Sequence, residues 1–329
     1  MKYFVTGGTG FIGANVVRHL LDRGHEVVCL VRKANLALEG LPVTLVNAPI
    51  TDAEALAPLV EGCDGIYHVA GLFDASPGGQ ARMREIHVSG TIALLRAAEQ
   101  AGVRRVLVCS SSVTVGFGSR EAPGDEDSPI EPDRIYGTSG ALRAYYNSKL
   151  QSEQLAAGWK GVETVIVNPD YILGAWDIKP TSGQLIVTMA KNLVPVYPKG
   201  GKCFQDADDC ALGHILAFEK GQPGRRYLLG NQNLSYREFM TMVAEVVGRP
   251  APRIAVPDLA LGLAGAVGGQ LLALDPHRFA GLDPNVLKSM REQRYRTGAR
   301  AVTELGVPTT PIRESVEKAY RWFREHGYC

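Results

Sequence analysis

Tyr145 and Lys149 stand four residues apart in Tyr145-Tyr146-Asn147-Ser148-Lys149. On a helix, positions i and i+4 share a face, so a phenol and an ammonium can serve one site. Of the twelve tyrosines in 329 residues, only this one has a lysine at that spacing. The spacing alone discriminates little, and its surroundings add to it. The apolar run Arg105-Val106-Leu107-Val108-Cys109 ends in Ser110-Ser111-Ser112, and the helical pattern with Tyr145 follows the next loop. Hydroxyls at the carboxyl end of such a strand lie where open α/β sheets bind ligands. Serines alone would signify only a polar strand end.

A second group sits at the N-terminus. Thr6-Gly7-Gly8-Thr9-Gly10-Phe11-Ile12-Gly13 follows a strand pattern and opens a helix pattern. Gly7 permits a tight turn, Gly10 lets backbone N–H groups approach a diphosphate, and Gly13 lets the helix pack closely on the strand. The first turn of the helix then offers free donors and a positive dipole end to phosphates. A fold of this type that prefers NAD places an acid at the end of its second strand for the ribose 2′-hydroxyl. Here that strand ends Leu30-Val31-Arg32-Lys33. Two cations suit a 2′-phosphate, so NADP(H) is expected rather than NAD(H). The alternative is that Arg32 and Lys33 simply begin a solvated loop.

The elements that must position these groups alternate. Strand patterns at 2–6, 26–31, 43–46, 65–70, 105–109 and 164–167 are separated by helical patterns at 11–23, 53–60, 80–100 and 141–157. That rhythm argues for crossover units and a Rossmann-type, doubly wound parallel α/β sheet. Residues 119–135 read as a polar surface loop. Beyond 168 the pattern loosens, with a strand at 227–229, helices at 236–247 and 311–325, and an apolar, glycine-containing stretch at 259–274. The expected division is a dinucleotide-binding domain over 1–168 and a smaller, mainly substrate-binding α/β region over 169–329, with segments returning to the first. Composition agrees with a globular chain: 45% hydrophobic, 21% charged, and 35 Lys+Arg against 34 Asp+Glu. That balance lacks the basic excess of a nucleic-acid binder. The six cysteines form no Cys-x-x-Cys pair, so no metal site is expected and the chain reads as reduced and cytoplasmic. The 259–274 stretch is too short to span a bilayer. It reads as a core helix, a lid, or an interfacial segment without the usual basic face.

Taken together, TGGTGFIG (6–13), HVAG (68–71), SSS (110–112), YYNSK (145–149) and NPDYILG (168–174) resemble the extended short-chain dehydrogenase/reductases of the epimerase/dehydratase type, across essentially the whole chain. Within them, GAWDIKPTSG (174–183) is most similar to the dihydroflavonol 4-reductase-like group. The resemblance implies that Tyr145 is the general acid for a substrate carbonyl, that Lys149 lowers its pKa and holds the nicotinamide ribose, and that Ser112 donates to the substrate oxygen. It further implies cofactor contacts from Gly7, Thr9, Gly10, Phe11, Ile12, Gly13, Arg32, Lys33, Val69, Ala70, Gly71, Ser110, Pro169 and Ile172. A homodimer through the 80–100 and 141–157 helices is left open.

Some positions depart from the family pattern. Ala48-Pro49 replaces Gly-Asp, so the adenine contact is absent or moved to Asp52. His87 stands where relatives often have Asn, and is expected to be a structural hydrogen-bonding residue. Asp170 replaces Ser or Thr, and Asp206 replaces His. Pocket walls are expected from Leu72, Phe73, Val113, Thr114, Asp170, Tyr171, Ile172, Trp176 and Phe204. Most are apolar, which favours an apolar or aromatic carbonyl or alcohol over a sugar. The expected activity is an NADP(H)-dependent reductase or dehydrogenase. The alternatives are a nucleotide-sugar-type epimerase/dehydratase that retains its cofactor, and a non-catalytic dinucleotide-binding regulator.

Overall fold

Short runs of Val, Ile, Leu and Tyr become strands because β-branched and aromatic side chains pack on a pleated surface. They are buried on both faces because helices flank them. The computed structural model describes residues 1–274 and 284–329. In its first half the order is β1 (Lys2–Thr6), α1 (Phe11–Asp22), β2 (Glu26–Leu30), β3 (Thr44–Val46), α2 (Ala53–Val60), β4 (Gly65–His68), α3 (Gly79–Arg84), α4 (Gly90–Gln100), β5 (Arg105–Cys109), α5 (Pro132–Tyr136), α6 (Ala141–Gly158) and β6 (Glu163–Pro169). Then follow β7 (Tyr171–Leu173), α7 (Gln184–Lys191), β8 (Val196–Tyr197), β9 (Gly201–Asp206), α8 (Ala207–Lys220), β10 (Arg226–Leu229), β11 (Gln232–Ser235), α9 (Tyr236–Val247), β12 (Ile254–Ala255), α10 (Asp258–Leu274), α11 (Pro284–Ser289), β13 (Gln293–Arg294) and α12 (Ile312–Glu325).

The main sheet has seven strands in the order β10-β6-β5-β4-β1-β2-β3, all parallel. The order reverses between β1 and β4, which opens a crevice at their carboxyl ends. The doubly wound α/β architecture is therefore as expected. One apolar layer forms between the sheet and α1 and α8, with Val5, Val17, Tyr67, Leu107 and Ile215 among its members. The other holds Phe4, Ile66, Leu94, Val106 and Ile166. β10 returns from the second half of the chain to extend the sheet beside β6.

A smaller sheet is centred on β9. β11 lies antiparallel to it, and β7 and β13 pair with it in parallel. Its core joins Phe204, Phe239, Trp322 and Phe323. The expected helix at 80–100 is one continuous rod with a wider π turn at Glu85–Ser89 between α3 and α4. A turn of that kind shifts the helical phase and re-aims the side chain it carries, here His87.

Candidate active site

The N-terminal turn is shaped by atoms that leave no room for a side chain. Gly7 has φ +76°, and a Cβ on it would lie 2.6 Å from the Ala70 nitrogen. A Cβ on Gly13 would lie 2.2 Å from the Gly7 oxygen. Gly10 N–H donates to the Gly7 carbonyl at 2.9 Å, closing the turn. Gly10 caps α1 without a side-chain hydrogen bond, and the first turn carries no acid. The donors of Phe11, Ile12 and Gly13 are thus left for an external anion. A dinucleotide phosphate fits this cradle. Thr9 carries a contact that the sequence reading missed: its carbonyl accepts from Asn35 Nδ2 at 3.0 Å. Asn35 thereby fastens the loop after β2, with the exposed Arg32 and Lys33, to the glycine turn. Asp52 caps α2 by accepting from Ala55 N–H at 3.1 Å, so its carboxylate is engaged there.

At the end of β4, Val69 N–H donates to the Thr6 carbonyl, and Ala70 N–H to the Thr6 hydroxyl at 3.2 Å. Gly71 faces Lys149: a Cβ there would meet Nζ at 3.2 Å. Lys149 is buried and donates to the Cys109 carbonyl at 3.0 Å. Its pKa is lowered by burial. Burial also pushes the Tyr145 phenol up to about 12, and a hydrogen bond from Ser111 works in the opposite direction. Phenol and ammonium occupy one face of α6, as their spacing requires.

Ser111 is the serine whose side chain acts on the Tyr145 phenol, drawing its pKa down against burial. Ser112 begins a short 3-10 turn, Ser112–Thr114, for which Ser111 is the cap. Ser110 and Thr114 are engaged elsewhere. Their hydroxyls donate to Glu153 Oε2 at 2.7 and 2.8 Å. Glu153, one helical turn beyond Lys149, is buried. It also accepts from Asn168 Nδ2 at 3.0 Å and from Arg226 at 2.9 Å. It ties the ends of β5, β6 and β10 to the helix carrying Tyr145 and Lys149. The sequence reading missed it, since a Glu inside a polar helix stretch looks solvated.

His87 behaves as a structural residue. Its Nε2 accepts from Leu72 N–H at 2.9 Å, so Nδ1 carries the proton and donates to the Ser148 hydroxyl at 2.8 Å. Ser148 donates in turn to the Tyr145 carbonyl at 3.0 Å. Burial, with Lys149 close by, pushes the imidazole pKa down to about 2 and keeps it neutral. Its ring meets the Tyr145 ring edge to face at 5.6 Å, and Phe73, 45% exposed, meets the same ring at 5.6 Å.

Several expected wall residues take other places. Phe204 is fully buried and stacks on Phe239 at 4.3 Å, inside the core of the smaller sheet. Trp176 packs against Trp322 at 5.8 Å, with the Arg18 guanidinium 3.2 Å over its ring. Ile172 is buried in the main core, and Val113 packs with Ile135, Tyr136 and Tyr146. Asp170 is ion-paired with Arg296 at 2.8 Å. Both are buried, and Arg296 also donates to the carbonyls of Val115 and Gly116. Asp170 thus fastens Pro169 and its neighbours to the loop after β5. Tyr171 donates to the Ser182 carbonyl at 3.0 Å, and the Lys202 ammonium lies 4.5 Å over its ring. Among the described residues, no group of three His, Cys, Asp or Glu is placed to hold a metal, and no helix is long and apolar enough to cross a membrane.

Residues 3–230 match the model of the NAD dependent epimerase/dehydratase family. The chain is 34% identical over 335 residues to the "Putative dihydroflavonol 4-reductase" of Synechocystis sp., covering 99% of this chain and 95% of the relative. It is 30% identical over 333 residues to the sterol demethylase protein B of Methylococcus capsulatus, covering 99% of each. The crystal structure of gox2253 superposes with a TM-score of 0.84 at 31% identity, covering 99% of this chain and 98% of that one. A nicotinamide-dinucleotide fold with Tyr145, Lys149 and a serine at its switch point, matched over nearly its full length, places the chain in the NAD dependent epimerase/dehydratase family of extended short-chain dehydrogenase/reductases.

Proposed function

We propose that the protein is an NADP(H)-dependent reductase that converts a ketone or aldehyde of a small, apolar or aromatic compound to an alcohol, or runs the reverse. The observation that carries this reading is the half-buried, neutral Tyr145 phenol, with the Ser111 side chain acting on it, the exposed Phe73 ring against it and Lys149 one helical turn on, its ammonium facing Gly71. Gly7, Gly10 and Gly13 with the first turn of α1 would hold the dinucleotide phosphates, Arg32 and Lys33 the 2′-phosphate, and Lys149 the nicotinamide ribose. When bound, the nicotinamide supplies or accepts the hydride. Tyr145 holds the proton at its phenolic oxygen. A pKa well above neutral keeps that proton in place until an oxygen of rising basicity stands next to it. Ser111 orients the phenol and can donate to the same substrate oxygen. His87 and Ser148 fix the backbone on which Tyr145 stands, and Phe73 shields the site from water. Val69, Ala70, Gly71 and Pro169 form the rim of the groove.

A second reading, an epimerase or dehydratase acting on a nucleotide-linked or otherwise anionic substrate, is supported by one observation. Lys202 and Arg294 are cross-strand neighbours. Arg294 is buried, and its Nε has no hydrogen-bond partner among the described residues. Burial and the neighbouring Arg294 push Lys202 down to about 7. Two cations side by side, whose nearest acid Asp170 is already paired with Arg296, suit an anionic substituent.

Both readings are tested by following NADPH with purified protein against aromatic ketones, aldehydes, steroids and nucleotide sugars, with product analysis. Stoichiometric NADPH loss with an alcohol formed is expected. A sugar product without net NADPH loss would move the assignment to the second reading. Tyr145→Phe is expected to abolish turnover and leave NADPH binding nearly intact. Full activity in that variant would remove Tyr145 from the mechanism.

A further inference from the structure

We propose that His68 is a positioning residue for the dinucleotide site: it locks the end of β4 against the glycine turn and ties both to the helix that carries Tyr145 and Lys149. Thr6 and His68 are register partners across β1 and β4, at the point where the strand order reverses. Both side chains are buried. The Thr6 hydroxyl lies 2.8 Å from His68 Nδ1, and His68 Nε2 lies 3.0 Å from the Thr91 hydroxyl on α4. The Thr91 hydroxyl also lies 2.8 Å from that of Ser152 on α6. Ser152 stands seven residues after Tyr145 and three after Lys149, on the same face of α6.

One contact fixes the direction of every bond in this chain of groups. Thr91 Oγ1 lies 2.6 Å from the His87 carbonyl, which can only accept, so the single Thr91 hydroxyl proton goes there. Thr91 must then accept from His68 Nε2–H and from Ser152. With its proton on Nε2, His68 presents Nδ1 as an acceptor, and the Thr6 hydroxyl donates to it. That bond stops the hydroxyl from rotating and leaves a Thr6 lone pair turned to Ala70 N–H, which donates to it at 3.2 Å. Burial, with Lys149 nearby, holds the imidazole pKa down to about 3, so the tautomer is undisturbed near neutral pH. Ala70 is the residue the cradle needs fixed. Its nitrogen would lie 2.6 Å from a Cβ on Gly7, so the end of β4 and the glycine turn touch at this point. A buried network in which every donor and acceptor is committed resists displacement, and this one runs from the turn through β4 and α4 to α6. The inference rests on the dinucleotide reading of the glycine turn and not on the choice between reductase and epimerase.

Two replacements separate the two ends of the imidazole. Asn reaches as far as Nδ1 and can accept from Thr6, but falls short of Thr91. Gln reaches as far as Nε2 and can donate to Thr91, but offers Thr6 no acceptor. His68→Gln is expected to weaken NADPH binding about 10-fold by fluorescence titration, and His68→Asn to change it less than ~3-fold. Thr6→Val should match His68→Gln, and the double variant should be no worse than either, since both act through one hydroxyl. In the ligand-free protein, amide hydrogen exchange over 69–71 should quicken in His68→Gln and Thr6→Val and stay near wild type in His68→Asn. Thermal midpoints are measured on all of them. A merely structural role makes affinity follow the midpoint whichever side chain is present, and that outcome overturns the proposal. So do additive losses in the double variant, or exchange over 69–71 that His68→Gln leaves unchanged. If the His68 variants fail to fold, Thr6→Val decides, and wild-type affinity in it overturns the proposal. A wild-type protein that binds no dinucleotide would remove the reading of the glycine turn. The exchange rates need no ligand, so they judge the link from His68 to Ala70 separately.

Discussion

Replacing Ser111 with Ala removes the hydroxyl that draws the Tyr145 phenol pKa down and the 3.3 Å bond that its oxygen accepts from Val113 N–H. The second loss is a weak cap on a one-turn element and is expected to cost about 0.5–1 kcal/mol of stability. The first falls on the reacting group. By analogy with removal of one donor from a site where charge develops, the turnover number should drop by ~10²–10³. The sign of its pH dependence follows from the phenol. Burial raises the Tyr145 pKa to about 12, and the Ser111 bond acts against that rise, so Ser111→Ala moves the pKa up further. At pH 7 the phenol is protonated in both forms, so carbonyl reduction loses only what the missing donor costs. Alcohol oxidation needs the deprotonated oxygen, whose fraction falls about tenfold per unit below the pKa. The oxidative rate at pH 9–10 should therefore suffer more than the reductive rate at pH 7, with its rising limb displaced to higher pH. Ser112→Ala is the control, with an expected loss under ~10-fold. Steady-state rates in both directions between pH 6 and 10.5 supply the measurement. A large loss in Ser112→Ala with a small one in Ser111→Ala would refute the placement of these hydroxyls, and an unmoved oxidative limb would refute the role given to Ser111.

Arg32→Ala should weaken NADPH by about 10–100-fold while changing NADH little, the worth of hydrogen bonds to one charged group; parallel titrations of both dinucleotides check it, and equal losses would return Arg32 to the role of a loop residue. Glu153→Gln removes the charge that Arg226 and three neutral donors converge on, which should lower stability by about 3 kcal/mol, the low end for breaking a buried pair because Arg226 keeps some solvent contact. Chemical denaturation gives that figure directly, and because Glu153 anchors the serine-bearing strand end, turnover should fall with little change in KM.

The order of elements in the first half was legible because each element carries its own signal. β1, α2 and β5 span the residues that alternation or helical spacing marks, and α9 begins at a capping box of Ser235 and Glu238. The second half was harder to read for a physical reason. β7, β8, β12 and β13 are two or three residues long, and such strands exist through pairing with β9 or with each other rather than through local propensity. α8, a fourteen-residue helix against α1, lacks a clear helical pattern in the sequence because only Ile215 and Phe218 of its buried apolar positions are large, while Cys210, Ala211 and Ala217 are small and interleaved with Asp208, Asp209 and His214.

The same distinction governs the site. The glycine turn and the Tyr145–Lys149 pair depend on neighbours within a few residues, and the chain fixes those neighbours directly. Which serine meets the phenol depends on where β5 gives way to the turn at Ser112–Thr114, a change of one residue that composition does not mark. Asp170 illustrates the limit best. In sequence it stands just beyond Pro169 and looks free to face a substrate. In the fold its carboxylate meets Arg296, 126 residues away, and Arg296 in turn holds the carbonyls of Val115 and Gly116. A carboxylate buried beside a guanidinium is worth most where both are anchored, and this pair anchors the Ser111 loop to the segment after Pro169, which is the geometry the candidate chemistry needs. The substitution that seemed to alter the pocket is therefore better understood as one half of a brace whose other half only the tertiary structure reveals.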